Sequence, residues 1–299
     1  MNHKKGSTFA AITAILWGFV AVGVKIVLIE VNVITVVWLR MLIAALCLGG
    51  YFLIKQPSNL NIYIKPPRLI WLPAIGLALN YVWFVSGIEL AGASATQVII
   101  QTGPIILCLV GFIFFKERIT KRQTLGFILA FVGLIFFYQK QLSSMNTGQD
   151  QFIKGVLLTF AAAIAWSFYS ISQKNLVKTY PVQQINLFIY SFSAVVYTPF
   201  VDFSVLGEIS GWAWLILILL GVTTVAAYGF MGEALKYTDA SRISVIVILN
   251  PILTFIILEL MQYFNVTFVT FTTVPFLAYV GAALMMIGAV LANIGGKKE

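Results

Sequence analysis

Residues 8–29 read TFAAITAILWGFVAVGVKIVLI, an apolar run interrupted by a single charge, Lys25. A helix needs roughly 20 such residues to cross the hydrocarbon core of a bilayer. Similar runs recur along all 299 residues, of which 60% are hydrophobic and 10% charged, with a mean hydropathy of +0.96. Soluble domains carry about a quarter charged residues. The composition therefore predicts an all-α polytopic membrane protein. It excludes a soluble enzyme, a disordered chain and an outer-membrane barrel, whose strands alternate apolar and polar residues.

The net charge of +9 does not indicate a nucleic-acid partner. The basic residues fall in short gaps between apolar runs, which is the pattern of membrane topology. Cys47 and Cys108 lie inside apolar runs and the single histidine, His3, lies in the N-terminal tail. We therefore expect no disulfide framework, no metal site and no cofactor. The first apolar run is long enough to span, so we interpret it as a transmembrane helix and not as a cleaved signal peptide.

Ten runs are long enough to span a bilayer, and they cover residues 8–29, 33–54, 69–88, 92–115, 122–139, 153–173, 183–204, 212–235, 241–263 and 273–294. Fifteen of the 19 Lys and Arg residues lie in the two tails or in and beside the second, fourth, sixth and eighth gaps. Cytoplasmic segments carry the excess of Lys and Arg. Both termini are therefore predicted to be cytoplasmic, in agreement with an even number of spans.

The second half of the sequence repeats features of the first. Trp17 and Lys25 correspond to Trp166 and Lys174 at one offset of 149 residues. Ala93-Ser94 precedes Pro104 as Ala240-Ser241 precedes Pro251, and the glycines 126 and 133 correspond to glycines 281 and 288. Residues 1–150 and 151–299 then hold five spans each. Because five is odd, the second half enters the membrane from the opposite side. The predicted architecture is a 5+5 inverted repeat around a central cavity, which is typical of secondary transporters.

Several short motifs are distributed over the two halves of the chain. They are Trp17-Gly18 with Lys25, Trp38-Leu39-Arg40, Ala93-Ser94 before Pro104, Lys116-Glu117-Arg118-Ile119-Thr120, Trp166, Ala234-Leu235-Lys236-Tyr237-Thr238-Asp239-Ala240-Ser241 and Asn250-Pro251. With these motifs the whole chain resembles the EamA family of the drug/metabolite transporter superfamily. The resemblance implies ten helices around a cavity that opens alternately to each side of a bacterial inner membrane. It also implies movement of amino acids, other small metabolites or drugs, generally outward. The second repeat of the family usually has a Gly-Glu-like turn matching Glu117, where this chain has Phe264-Asn265.

Polar and aromatic side chains inside the spans are the candidates for a substrate-binding cavity, because such groups avoid lipid. The candidates are Trp17, Asn80, Tyr81, Gln97, Gln101, Trp166, Tyr169, Tyr228 and Asn250. The alternative for the amides is that they brace neighbouring helices through hydrogen bonds, and for the rings that they pack. Asn250 either binds substrate or satisfies backbone groups freed by Pro251. Pro104 and Pro251 are expected to kink their helices at the cavity, or to form static kinks that only fit the packing.

Three charged residues within the spans are candidates for a role inside the membrane: Lys25, Arg40 and Glu233. We favour a structural role of Arg40, either a pair with Glu30, Glu89 or Glu259 or extension of its charge to the membrane surface, over binding of a substrate carboxylate, and treat Lys25 in the same way. Glu233 is the best candidate for a protonatable gate, although an ion pair with Lys236 fits its position better. With no titratable carboxylate near mid-bilayer, we expect exchange, or coupling through the charge of the substrate itself, in place of proton coupling.

Small residues on two spans permit close helix approach, namely Gly126, Ala130 and Gly133 on the fifth and Gly281 and Gly288 on the tenth. They indicate packing within each half or, alternatively, the contact face of a homodimer. The function that fits best is an exporter of a small-molecule substrate. A flippase for a lipid-linked intermediate is the alternative. A membrane-embedded enzyme would need clustered His, Asp or Cys within the spans, and none occurs in the sequence.

Overall fold

The computed structural model describes residues 2–117, 120–137, 139, 150–264 and 276–294. Regular secondary structure in these ranges is helical. Their α-helices are α1 His3–Val27, α2 Val33–Lys55, α3 Trp71–Ile99, α4 Thr102–Ile113, α5 Lys121–Phe137, α6 Asp150–Leu176, α7 Val182–Tyr197, α8 Gly211–Tyr237, α9 Ala240–Val247, α10 Asn250–Tyr263 and α11 Phe276–Ile294. Short 3-10 helices cover Pro57–Tyr63, Arg68–Ile70, Thr198–Phe200 and Phe203–Gly207.

Seven stretches of the described residues are long and apolar enough to cross a membrane. They are His3–Val27, Val33–Lys55, Arg68–Ala93, Ala95–Ile113, Asp150–Leu176, Gly211–Tyr237 and Ala240–Met261. The other three predicted spans correspond to the shorter helices α5, α7 and α11. Large apolar side chains cover the outer surface, as with Ile54, Phe114 and Phe200, which are 78%, 74% and 68% exposed. Such a surface is suited to lipid and not to water. The chain is a polytopic helical membrane protein.

One predicted span is too long. The run 183–204 was expected to form a single helix, but α7 ends at Tyr197 and a 3-10 turn over Thr198–Phe200 follows. Pro199 has no backbone N–H with which to continue the helix, which explains the end. Parts of the predicted spans 122–139 and 273–294, and the turn at Asn265, lie outside the described residues.

Helix α3 is two rods joined by one residue. Gly92 has φ 84° and ψ 159°, so residues 71–91 and 93–99 form separate helical segments without a loop between them. A positive φ is available to glycine at little steric cost. The second rod continues into α4 after a break at residues 100–101. The predicted spans 69–88 and 92–115 therefore meet at a single glycine.

Helices from the two halves of the chain pack against each other. α1 packs along α8, and α3 packs along α6. α2 contacts α7 and α8, α4 contacts α6 and α9, and α10 contacts α1. In lipid, such contacts depend on close van der Waals packing and interhelical hydrogen bonds more than on the hydrophobic effect. The packing places α1, α3, α6 and α8 around the centre of the bundle.

The small-residue faces of α5 and α11 pack against each other. A methyl group added at Gly133 would lie 2.6 Å from the carbonyl oxygen of Gly281, and one added at Gly126 would lie 2.7 Å from that of Gly288. The expectation of packing within each half is therefore replaced by packing between the halves. Because these glycines pack against each other within one chain, they are not available as the contact face of the predicted homodimer.

Candidate functional site

A cavity lies at the centre of the bundle. Its walls come from eight of the helices and from the break before α4, and they consist of Trp17, Val20, Arg40, Asn80, Tyr81, Phe84, Gln97, Ile100, Gln101, Pro104, Trp166, Tyr228, Val247 and Asn250. Its volume is about 70 Å³, which is room for several waters at about 15 Å³ each. The site is a small chamber of mixed polar and aromatic character.

Eight of the nine candidate cavity residues from the sequence line this chamber. They are Trp17, Asn80, Tyr81, Gln97, Gln101, Trp166, Tyr228 and Asn250. The ninth, Tyr169, does not. Its side chain is fully buried and packs behind Tyr228, with ring centroids 5.3 Å apart. Tyr169 follows Trp166 by three positions on α6, and it therefore faces α8 beside the chamber and not the chamber itself.

The aromatic rings of the wall form one connected cluster. Trp17 contacts Trp166 edge to face at 5.9 Å and Tyr228 at 5.3 Å between ring centroids. Tyr228 in turn contacts Tyr81 at 5.8 Å. Trp17 and Trp166 are the pair of equivalent tryptophans noted in the sequence. Tyr81 and Tyr228 are separated by 147 residues, the same offset as Pro104 and Pro251. Equivalent residues of the two halves thus meet at the cavity.

The amide side chains both brace helices and line the chamber. Asn80 Nδ2 donates to the carbonyl oxygen of Ala162 on α6 at 2.9 Å. Gln97 Nε2 donates to Thr254 Oγ1 on α10 at 3.4 Å, and Gln101 Nε2 donates to the carbonyl oxygen of Gln97 at 3.2 Å. Bracing and lining, the two alternatives drawn from the sequence, therefore hold together for Asn80 and Gln97, whereas the bond of Gln101 stays within its own stretch of chain.

Both predicted kinks lie at the chamber. Proline lacks the N–H that would bond to the carbonyl four residues earlier. For Pro104 and Pro251 those residues are Ile100 and Val247, which both line the cavity. Helix breaks follow at residues 100–101 and 248–249. Each proline thus interrupts its helix at the wall of the chamber.

The three charged residues predicted within spans have different surroundings. Arg40 lies in the cavity wall with 3% of its surface exposed. Glu233 lies away from the chamber, in a second cavity at the end of α8 that Lys236 also lines. Within the described ranges Glu233 forms no ion pair, so the expected pairing with Lys236 is absent. Lys25 is half-buried in the last turn of α1.

Arg40 does not form the expected ion pair. The ion pairs among the described residues do not include it. Glu30 instead accepts hydrogen bonds from the backbone and side chain of Ser210, while Glu89 and Glu259 are exposed. The sequence places these carboxylates at a depth similar to Arg40, but α2 turns the guanidinium toward the centre of the bundle. The preferred interpretation of Arg40 as one half of a structural pair is therefore wrong.

A second buried polar cluster lies where α4 and α6 end and α9 begins. Glu117 Oε1 accepts hydrogen bonds from Lys174 Nζ at 2.7 Å and from Ala240 N at 2.8 Å, and Oε2 accepts one from Ser241 N at 3.1 Å. Burial by itself raises the pKa of Glu117. The nearby Lys174 ammonium and the hydrogen bonds from Ser241 outweigh burial, so this pKa lies below its ordinary value. The carboxylate joins the α4–α5 turn to two helices of the other half.

A model of the EamA-like transporter family matches the chain twice, over residues 4–139 and 153–294. The chain belongs to the EamA-like transporter family. It is therefore a membrane transporter, as the resemblance in its motifs predicts.

Relatives of this EamA-like protein are also named as transporters. The chain is 31% identical to an uncharacterized transporter of Haemophilus influenzae, over 98% of this chain and 95% of that one. It is 29% identical to the uncharacterized inner membrane transporter YhbE of Escherichia coli, over 97% and 91%. A probable amino-acid metabolite efflux pump of Salmonella typhimurium is 23% identical over 84% and 85%. A solved crystal structure with 19% identity, covering 98% of this chain and 99% of the other, superimposes with a TM-score of 0.74 and shares the fold.

Sequence reasoning missed two parts of the EamA-like site. Thr224 and Thr254 hold the side chains of Arg40, Tyr81 and Gln97, but hydroxyls in apolar helices are common and give no distinctive signal. Glu117 and Lys174 were noted only as motif residues and cytoplasmic charges. One signal in the sequence could have found this cluster. Lys174 lies at the end of its span, at the position equivalent to Lys25, and a basic residue there needs a carboxylate nearby.

Proposed function

We propose that this EamA-like protein is an inner-membrane secondary transporter that exports amino acids or related small metabolites by alternating access. The observation that carries the proposal is the central chamber, in whose wall Trp17 meets Trp166 and Tyr81 meets Tyr228. Binding sites of secondary transporters built from inverted repeats lie near mid-bilayer, at the interface of the repeats. A chamber lined by equivalent residues from both halves supports this location for the binding site.

The proposed architecture is ten spans in a 5+5 inverted repeat with both termini cytoplasmic. Helix packing supports it: exchanging the two halves turns the α1–α8 contact into the α6–α3 contact, and both contacts are present. The α2–α7 and α5–α11 contacts map onto themselves under the same exchange. The two matches of the family model, one in each half, fit this division.

The proposed mechanism is alternating movement of the two halves around the chamber. Broken helices at the binding site are a recurrent feature of such transporters, because unwound backbone lines the substrate path. Here the breaks before Pro104 and Pro251 lie at equivalent places in the two halves, and both border the chamber. They supply the flexible points that rocking of one half against the other requires.

The proposed substrate and location draw on the relatives. The Salmonella protein is named as a probable amino-acid metabolite efflux pump, and the Escherichia coli protein as an inner membrane transporter. Amides and a guanidinium in the chamber are suited to a small polar metabolite. A flippase for a lipid-linked intermediate is the second candidate from the sequence. The buried, partly polar lining favours a small water-soluble substrate over a lipid tail.

An efflux screen tests the proposal. Bacteria that overproduce the wild type are compared with bacteria that carry the Trp17→Ala/Trp166→Ala double variant, and metabolites in the medium are measured by mass spectrometry. We expect one or a few amino acids or related metabolites to accumulate outside wild-type cells only. Trp212→Ala is the matched control, because Trp212 is 63% exposed and far from the chamber. The proposal would be contradicted if the medium of wild-type cells held the same metabolite concentrations as that of empty-vector cells, with the wild-type protein confirmed in the membrane.

A further inference from the structure

Arg40 is the charged residue in the wall of the central chamber. Its side chain lies in α2 with 3% of its surface exposed, and none of the described residues that line the chamber with it carries a carboxylate. A buried charge without a counter-ion is costly, and proteins keep such groups only when carbonyls, water or an anion compensate them. The position of Arg40 therefore requires an explanation beyond packing.

The structure holds the guanidinium in place without neutralising it. Its Nη2 donates to Thr224 Oγ1 at 3.3 Å, and its central carbon lies 4.7 Å from the centroid of the Tyr81 ring. Arg40 Nε has no hydrogen-bond partner among the described residues. A guanidinium has five N–H donors arranged to bind a carboxylate with two parallel hydrogen bonds. Thr224 takes one of these five donors, and the described residues give the guanidinium no other hydrogen-bond partner.

Three amide carbonyl oxygens in the same walls lack hydrogen-bond partners among the described residues. They are Gln97 Oε1, Gln101 Oε1 and Asn250 Oδ1. The orientation of Gln101 is fixed, because its Nε2 donates to a backbone carbonyl, which only accepts. That of Gln97 is fixed as well, because its partner Thr254 already donates its hydroxyl hydrogen to the carbonyl oxygen of Gly18 at 3.0 Å. Buried acceptors of this kind select ligands with N–H donors.

We propose that the chamber binds small molecules that carry a carboxylate and at least one N–H donor, with Arg40 as the residue that binds the carboxylate. The amide oxygens of Gln97, Gln101 and Asn250 accept from the N–H groups, and the rings of Trp17 and Tyr228 cover the apolar part. This inference rests on the proposed transport function and names its substrate class. It excludes amines without a carboxylate, because the described lining offers them no anion and places a cation beside them.

Three matched probes test the inference on the purified full-length protein in detergent. Phenylalanine carries both groups, 3-phenylpropionate lacks the amino group, and 2-phenylethylamine lacks the carboxylate. The shift of the thermal unfolding temperature with probe concentration gives an apparent affinity for each. We expect the wild type to bind phenylalanine most tightly, 3-phenylpropionate more weakly and 2-phenylethylamine not at all.

Two substitutions of Arg40 separate binding from structure. Arg40→Gln is expected to weaken phenylalanine binding about 10- to 100-fold and to abolish the preference for carboxylates. Arg40→Lys keeps the charge and is expected to keep the preference at lower affinity. Arg122→Gln, on the exposed surface of α5, is the control and should behave as wild type.

The inference is overturned by any of three results. They are equal binding of 2-phenylethylamine and phenylalanine by the wild type, an unchanged carboxylate preference in Arg40→Gln, and binding of none of the probes by the folded wild type. A purely structural role of Arg40 would lower the unfolding temperature without ligand and leave the preference intact. The efflux screen decides separately whether the protein is an exporter, so each proposal can fail without the other.

Discussion

Thr254 connects three helices with one hydroxyl group. It is fully buried on α10, donates to the carbonyl oxygen of Gly18 on α1 at 3.0 Å and accepts from Gln97 of α3 at 3.4 Å. Interhelical hydrogen bonds within membranes contribute about 0.6 kcal/mol on average and up to about 1.7 kcal/mol. Two bonds through one atom make Thr254 a positioning residue for Gln97.

Thr254→Val preserves the shape of the side chain and removes both bonds. We expect the free energy of unfolding in detergent to fall by about 1–2 kcal/mol. Thr124→Val is the matched control, because Thr124 is exposed on α5 and bonds only within its own helix. Equal stability of the two variants would show that the Thr254 bonds contribute nothing measurable.

At the scale of residues, membrane chemistry made much of the chamber predictable. Polar groups such as Asn80 and Gln97 have few alternatives to the interior of the bundle, so position within a span predicts their side of the helix. The sequence predicted less well which way a buried side chain points within the bundle. Tyr169 and Arg40 were both misplaced, because the rotation of α6 and α2 relative to the centre depends on contacts with other helices that no single sequence window contains.

Among the elements, α5 and α11 make one of the closest contacts. A methyl group at Gly133 would lie 2.6 Å from the carbonyl oxygen of Gly281 and 2.7 Å from the amide nitrogen of Met285. Both obstacles are backbone atoms, so no change of rotamer relieves the clash. The two helices must move apart or the substitution is not accommodated.

Gly133→Ala is expected to lower the free energy of unfolding by about 1–3 kcal/mol, which is the usual cost of overpacking. Gly50→Ala in α2 is the control, since nothing lies within 4 Å of the added methyl group. There the better helix propensity of alanine should leave stability equal or slightly raised. Thermal unfolding of both purified variants is the measurement, and a Gly133→Ala variant as stable as Gly50→Ala would contradict the packing.

The Glu117–Lys174 ion pair also connects helices. Removing one partner leaves a buried charge without its counter-ion, so we expect Glu117→Gln and Lys174→Met each to cost about 3–5 kcal/mol. The double variant should be more stable than the sum of the single losses predicts, which a double-mutant cycle measures. Additive losses would mean that the two side chains do not interact.

The pair also has a predictable pH dependence. Because the pKa of Glu117 is lowered in the folded protein, its stabilisation is complete above the unfolded pKa of about 4.3 and is lost as the pH falls through the folded value. The stability difference between wild type and Glu117→Gln should therefore be equal at pH 7 and pH 6 and should shrink in strong acid. A difference that shrinks between pH 7 and pH 6 would contradict the lowered pKa.

The helices themselves were largely predictable, because a run of about 20 apolar residues has few alternatives to a spanning helix. The errors are local. The end of α7 was placed seven residues late because the apolar run continues through Phe200 and Val201, and hydropathy does not register the effect of Pro199. The pairing of α5 with α11 was also missed, since a face of small residues indicates close packing but not which helix packs there.

For the whole molecule, the proposed orientation is testable by labelling. Residues 58 and 204 are exposed in 3-10 turns at opposite ends of the bundle. With Cys47 and Cys108 replaced, we expect a membrane-impermeant maleimide to label Ser204→Cys in intact spheroplasts. Ser58→Cys should react only after the membrane is opened. Labelling of Ser58→Cys in intact spheroplasts would contradict the proposed topology and indicate the opposite orientation.

Energy coupling is a second property of the whole molecule. In proteoliposomes we expect Glu233→Gln to leave the response of transport to an imposed pH gradient unchanged, because Glu233 lies outside the central chamber. The measurement is the initial rate of counterflow of the exported metabolite, with and without the gradient. Strong accumulation that depends on the gradient and disappears in Glu233→Gln would establish proton coupling through this residue.

Gly92 has a mechanical consequence for the whole bundle. A single residue with two free torsions is all that links the rod 71–91 to the rod 93–99. No loop separates them, so a displacement of the rod that leads to Pro104 at Gly92 also displaces the end of the rod that carries Asn80 and Tyr81. The position of the chamber wall formed by residues 71–91 therefore depends on the position of the segment 93–99.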